Sequence, residues 1–495
     1  MQNCILKYRP NYIDVKDYGA KGDGATDDTI RIQAALNTGK HVYFPATANY
    51  YKITDDLLIF GDQIIFGSGV KSKILQATAH KNVFKCDKKN NVTIRDLYLY
   101  GNTSSGATNG IGIYLISSTN IIIDSVKIEN HEFSGIYGLG AVADGGNKNI
   151  RITNCLIQAG QNVGDATSDD VYFVGELSDL KVDHNSLLSS NKAGFEYNGV
   201  VGNTALGINV SHNIVKNHVQ HGIIAAYGSV GLIKDVKVYK NTVDNISSST
   251  IAGADCYGIG IYVVGSVIYD VVIDGNQVYN CLQNRSEAGS LVQGAISVAG
   301  GVTNIKVINN IVRNINNPGA DKYSGINISG SDNILLAGNT VDGTVNKYFD
   351  LCIKLDAVAT VKVINNDCFY ADSWGFLTTG AIGHLLMSGN TFACCDLHPD
   401  VCNDIGTYVD GTVAPYIGAT HYLHIANTNA TTITGLDSGY EGQIVTLSFA
   451  DNKSTYDRSN SVLAGGANFV STQYDTLVLI KHGALWYEIS RSVNS

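Results

Sequence analysis

Four acidic residues carry the chemistry that this sequence suggests: Glu196, Asp169, Asp170 and Asp255. Glu196 stands in Gly194-Phe-Glu-Tyr197, an alternating segment that reads as a strand, and Asp169 and Asp170 lie one coil earlier. Alternation sends Phe195 and Tyr197 to one side and Glu196 to the other. Phe195 aligns with Ile223 and Ile259, which places it inside and Glu196 outside. Carboxylates on adjacent strands, about 4.8 Å apart, can divide an acid–base task. One donates a proton to a leaving oxygen and the other activates water or attacks. In glycosidic cleavage a separation of roughly 5 Å favours retention and roughly 6.5–9.5 Å inversion. The bland alternative is that these acids are solvated, or that the Asp-Asp pair satisfies backbone amides.

His218, His221, Tyr172, Tyr197, Tyr257, Arg285, Tyr323 and Trp374 are the candidate substrate contacts. Tyr is frequent, at 28 residues, and sugar rings present C–H faces to Tyr and Trp. Tyr equally decorates sheets and interfaces. His218 or His221 could instead be the base of a β-elimination, with Arg285 or Lys354 neutralising a uronic carboxylate. Rival carboxylates are Asp350 with Asp356, Asp321, Asp372 beside Trp374, and Glu129 with Glu132. Cys394, Cys395, His398 and Cys402 have metal-like residue types without paired Cys-x-x-Cys spacing. No metal and no cofactor are therefore expected.

These residues must be positioned by a repeat. Asn185, Asn213, Asn241, Asn276, Asn310, Asn339, Asn366 and Asn390 follow alternating segments such as Leu180-Lys-Val182 and Val361-Lys-Val363. Their successive differences are 28, 28, 35, 34, 29, 27 and 24 residues. A period of this size means stacked structural units, and the alternation makes each unit a coil of a parallel β-solenoid. The Asn column is expected to occupy a left-handed corner and to hydrogen-bond along the stack. A second strand of each coil opens with Gly, as at Gly135, Gly194, Gly222, Gly258, Gly325 and Gly375. Extra residues fall between the two strands, at 158–169, 245–255, 283–289 and 314–322. Such loops would wall a low floor carrying Glu196, Tyr197, His218 and His221, with Asp165, Asp169 and Asp170 on the near wall and Asp255 and Tyr257 on the far one. A groove of this kind suits a long polymer.

Composition bounds the alternatives. A net charge of −10 argues against nucleic acid as a partner. No apolar run reaches membrane-spanning length, so no membrane insertion is expected, and Met1-Gln-Asn-Cys-Ile lacks the apolar core of a signal peptide. Only 5 Pro occur, which fits continuous strand ladders. The 10 Cys show no disulfide-scaffold spacing. Cys155, Cys281, Cys352 and Cys368 read as reduced, buried residues suited to folding in a reducing cytoplasm.

The N-terminal pattern Asp14-Val-Lys-Asp-Tyr-Gly-Ala-Lys-Gly-Asp-Gly-Ala-Thr-Asp-Asp-Thr29, followed by an amphipathic Ile30–Leu36, resembles the opening motif of the pectate lyase-like superfamily. That superfamily includes polygalacturonases and many phage tailspikes. The resemblance implies an all-β, right-handed parallel β-helix with a small helical cap. Gly439-Tyr-Glu-Gly-Gln-Ile-Val-Thr-Leu447 and Trp486-Tyr-Glu-Ile-Ser-Arg491 resemble the C-terminal β-sandwich of some tailspikes, which implies a homotrimer. The expected organisation is a cap over 1–50, a β-helix over 51–400, a linker over 401–420 and a sandwich over 421–495. Polygalacturonase signatures (Asn-Thr-Asp, Gly-His-Gly, Arg-Ile-Lys) are absent from the sequence. The resemblance therefore implies a virion-borne tailspike, attached to other phage tail proteins, that cleaves bacterial capsule or O-antigen. A lyase or a non-cleaving glycan receptor is the alternative.

Overall fold

A computed structural model describes residues 12–102, 110–159, 168–228, 231–246, 257–263, 267–281, 294–314, 323–343, 351–371, 374–379, 382–393, 405–407, 411–415, 417, 422–437, 439 and 441–493. Strands dominate. Three parallel sheets of 14, 12 and 13 strands, here the first, second and third, form a parallel β-helix. The chain divides into two compact units: 1–290 with 295–303, and 291–294 with 304–495.

In the first unit, Tyr12–Asp14 pairs in parallel with His41–Phe44 and starts the first sheet. The motif between them folds for local reasons. Both oxygens of buried Asp28 accept backbone hydrogen bonds, from Lys21 at 2.7 Å and Gly22 at 2.9 Å. Asp23 accepts from the amides of Ala25 and Thr26, so Gly22-Asp-Gly24 is a structural turn. The helix Thr29–Leu36 buries Ile32, Ala35 and Leu36. Asp27, rather than Asp28, accepts from the Thr29 amide at its N-terminus, and Gly39 takes a left-handed backbone after it, at φ 70°.

Each coil then places one strand in each sheet. Inward columns are apolar, as in Val171, Phe195, Ile223 and Ile259, which pair in register and are fully buried. The Asn column forms the expected ladder. Asn185 Nδ2 donates to Asn213 Oδ1, Asn213 to Asn241 and Asn241 to Asn276, each at 3.0 Å. Each amide also reaches a backbone carbonyl, as Asn213 Nδ2 does at Val182 O, 2.9 Å away.

One detail differs from expectation. The left-handed residue is the one before the ladder Asn: His184, His212, Lys240 and Gly275 have φ of 56°, 51°, 53° and 63°. The corner thus separates two jobs: one residue turns the chain and the next satisfies buried backbone groups. Asn213→Leu should cost about 2–4 kcal/mol, because it strands buried partners on both neighbouring coils. Urea unfolding measures this; an unchanged midpoint would deny the ladder a stabilising role.

The second unit repeats the ladder, Asn310 to Asn339 at 3.0 Å, Asn339 to Asn366 at 2.8 Å and Asn366 to Asn390 at 2.9 Å. It also contains a six-stranded and a three-stranded sheet formed by strands between Ile405 and Ser492. Leu423, Ile425, Val445, Phe449, Leu477 and Trp486 belong to one buried cluster there. Cys155 and Cys281 in the first unit, and Cys352 and Cys368 in the second, are buried and form no disulfide among the described residues.

Candidate active site

The candidate site lies in the first unit, on the second sheet, where strands Asp169–Gly175, Ala193–Gly199 and His221–Gly228 run side by side. Tyr114, Tyr137, Tyr172, Glu196 and Ile224 pair in register along one column. Its neighbour column is the inward Val171–Phe195–Ile223 set, so Glu196 points away from the core as alternation requires. It is nevertheless 1% exposed, and Lys192 lies against it. Lys192 Nζ lies 2.7 Å from Glu196 Oε2 and 2.8 Å from Oε1.

The same ammonium is 4.0 Å from Asp169 Oδ2 and 5.2 Å from the Tyr172 ring centroid. The Lys192 backbone is fixed on both sides: its amide donates to Ser168 O, and its carbonyl accepts from Gln220 and His221 amides. Asp169 is fully buried; its Oδ1 accepts from the Ala193 amide at 3.0 Å, and Oδ2 has no hydrogen-bond partner among the described residues. The structure thus brings Asp169, Lys192, Glu196 and Tyr172 together.

Electrostatics differentiate the two acids. Burial pushes the Asp169 carboxyl well above its ordinary value; Lys192 opposes the shift and Glu196 adds to it. Burial lowers the Lys192 ammonium, but Asp169 and Glu196 outweigh that and raise it. Lys192 lies 2.7 Å from Glu196 and 4.0 Å from Asp169, and burial favours the neutral form of the Asp169 carboxyl.

Other expected residues lie elsewhere. Asp170 and His218 are not on a groove floor. Asp170 takes the column position that Gly135 and Gly194 hold in adjacent coils, where a side chain must enter the interior. Its Oδ1 accepts from the Ala159 amide at 2.7 Å, and Oδ2 is 3.6 Å from His218 Nε2. His218 Nδ1 lies 2.7 Å from Ser190 Oγ, and Nε2 donates to Leu187 O. Ser190, His218 and Asp170 have the residue types of a hydrolytic triad. All three are at most 1% exposed, however, and the Ser190 hydroxyl donates to Ala193 O. They are interior packing, and burial lowers His218 to about 4.

Tyr197 is also interior: alternation puts it in the core, and its hydroxyl donates to Gly175 O at 2.8 Å. His221 stacks on Tyr257 with ring centroids 5.3 Å apart, both buried at the strand start. Burial, aided by Lys192, lowers His221 to about 3, so it is a neutral imidazole. Tyr172 is half-buried, with Tyr137 stacked at 5.3 Å and an Asn198 Nδ2 contact at its hydroxyl.

Tyr323 and Lys354 belong to the second unit and are buried. Trp374 opens the strand Trp374–Thr379 of that unit. Asp255, Arg285, Asp165, Asp321, Asp350, Asp372 and the 394–402 Cys/His set lie outside the described residues. Among the rivals, Glu129 pairs with Lys127 at 2.9 Å and accepts from Tyr98, while Glu132 meets His80 at 3.0 Å. The residue missed from sequence is Lys192. Its signal was present: a Lys four positions before Glu196, directly ahead of a Gly-opened strand.

The family described as rhamnogalacturonase A/epimerase, pectate lyase-like, matches residues 12–243. The match contains the opening motif, the Asn ladder up to Asn241 and the whole Asp169–Lys192–Glu196 site. A pre-neck appendage protein of Bacillus phage B103 is 25% identical over 260 residues, 46% of this chain and 28% of that relative's length. The matched stretch thus spans well under a third of that relative. Among solved structures, the Azotobacter vinelandii mannuronan C-5 epimerase AlgE6 A-module aligns with a TM-score of 0.46 at 15% identity, over 77% of this chain and 99% of that one. The pre-mature bacteriophage phi29 gene product 12 aligns with a TM-score of 0.46 at 15% identity, over 91% and 65%.

Proposed function

We propose that this chain is a phage tail appendage that binds a bacterial surface polysaccharide, capsule or O-antigen, and hydrolyses it internally. Asp169 is the general acid, protonating the glycosidic oxygen. Glu196 is the carboxylate that attacks the sugar or activates water. Lys192 pairs with Glu196 and shifts toward Asp169 as that residue gives up its proton. Tyr172 and His221 border the site and contact the sugar. The reading rests on one observation: two buried carboxylates on adjacent coils flank one ammonium, Glu196 at 2.7 Å and Asp169 at 4.0 Å. The likeness to the appendage protein of phage B103 supports a virion location; a homotrimer attached to other tail proteins is part of the same proposal.

Purified polysaccharides from typed strains test the reading. Oligosaccharides with ordinary reducing ends are expected, read by mass spectrometry. Products with an unsaturated terminal sugar would replace hydrolysis by β-elimination. A second reading, binding without cleavage, draws on the closure of the site: Glu196 is 1% exposed and Asp169 fully buried under Lys192. It predicts retention of polymer on the protein with no fall in polymer length.

A further inference from the structure

A second cluster lies in the first unit, at the corner between the first and third sheets, where one strand ends at Asp183 and the next begins at Ser186. Asp183 is 7% exposed. His184 Nδ1 is 2.8 Å from its Oδ2, and His212 Nδ1, one coil on, is 3.0 Å from its Oδ1. The two imidazoles stack in parallel, centroids 4.6 Å apart and planes 9° apart, so both Nδ1 atoms face one carboxylate. The three donor groups lie within 4.8 Å of one another.

Neighbouring coils show what the fold alone needs here. Asp183 pairs in register through Thr153 with Asp124. Asp124 is satisfied by Thr153 Oγ1 at 2.9 Å and by Asn154 Nδ2 at 2.8 Å, Asn154 being the left-handed corner residue. An amide suffices there. At Asp183 the same corner position carries imidazole twice in succession, at His184 and His212. Ser211 Oγ also donates to Asp183 Oδ1 at 2.7 Å, the kind of support that orients a ligand.

We propose that Asp183, His184 and His212 form a binding site for a borderline divalent transition-metal ion of the zinc class, separate from the Asp169–Glu196 site on the second sheet. Two imidazoles with one carboxylate select zinc-like ions over calcium or magnesium, which prefer all-oxygen shells. Ligands about 2 Å from a shared ion stand roughly 3–3.5 Å apart, close to the present nitrogen–oxygen separations. Coordination replaces the Nδ1 protons, which leave to solvent. Lys181 Nζ, 3.1 Å from Asp183 Oδ2, is 39% exposed and turns outward to admit the ion. Tyr239, edge-on to His212 at 5.4 Å, walls the other side.

The test uses the whole chain, stripped with chelator and titrated with Zn2+ against a chromophoric competitor. Co2+ uptake is followed by its visible spectrum. One equivalent per chain is expected. His184→Asn/His212→Asn places at both corners the residue that Asn154 shows to be tolerated, and should weaken uptake by at least about tenfold. Asp183→Asn, which keeps the size of the side chain, should do the same. Thermal melting confirms folding of each variant. No stoichiometric uptake by the wild-type chain, or unchanged uptake in the folded double variant or in Asp183→Asn, would overturn the assignment.

Discussion

Glu196→Gln should reduce polysaccharide cleavage by about a thousandfold or more while the protein still binds the polymer. The change removes the carboxylate that attacks or activates water, a contribution of about 10^2–10^4 for proton-transfer roles alone. It leaves the shape intact, since a Gln oxygen can still accept from Lys192, which lies 2.7 Å from the Glu196 carboxylate. Binding persists because the sugar contacts assigned to Tyr172 and His221 lie outside the substituted group. Product release from a defined polysaccharide and polymer retention on immobilised protein are the paired readouts. Turnover at the wild-type rate would strike Glu196 from the catalytic set. Loss of both binding and melting cooperativity would assign Glu196 and Lys192 to stability instead.

Much of the architecture is legible in the sequence because a solenoid writes its geometry as a period. The Asn column predicts the ladder from Asn185 to Asn276 before any coordinates, since buried amides at one corner have few other uses. The outward aim of Glu196 follows from the same pleat logic. Periodicity says less about corners. The left-handed turn falls one residue earlier than expected, at His184 and His212, because the buried Asn must keep its amide toward the stack. Asp170 is interior for a related reason. Where a strand opens, alternation breaks down, and a Gly-column position directs any side chain inward.

The pairing of Lys192 with Glu196 is legible as a four-residue spacing, but its approach to Asp169 is not, because that side chain reaches from one coil to the next. The partnership of Asp183 with His212 is similar in kind: 28 residues apart in sequence order from His184 to His212, the two rings meet only because one coil is stacked on the next. Repeat spacing names which residues share a column. Charge and burial then decide which column can do chemistry.

Asp169 should set the alkaline side of the pH profile. Its carboxyl is raised well above the ordinary range by burial, with Lys192 opposing and Glu196 reinforcing. As general acid it works only when protonated, so kcat/KM should fall as pH rises through the raised folded value. Asp169→Asn should lower cleavage by about 10^2–10^4 and abolish that limb in whatever activity remains. Stability follows the same linkage. A group whose folded value exceeds its unfolded value favours the native state when protonated. That contribution is complete below the unfolded value, near 4 for Asp, and is lost as pH rises through the folded value, at about 1.4 kcal/mol per unit of separation. Asn is neutral at every pH and can keep the Ala193 contact through its oxygen. The variant should therefore gain on wild type in urea midpoint as pH increases, even as its activity collapses. A mutation that stabilises and inactivates together is the signature of a group kept for chemistry. If the alkaline limb survives unchanged in Asp169→Asn, the acid is another residue and the shared ammonium of Lys192 serves packing alone.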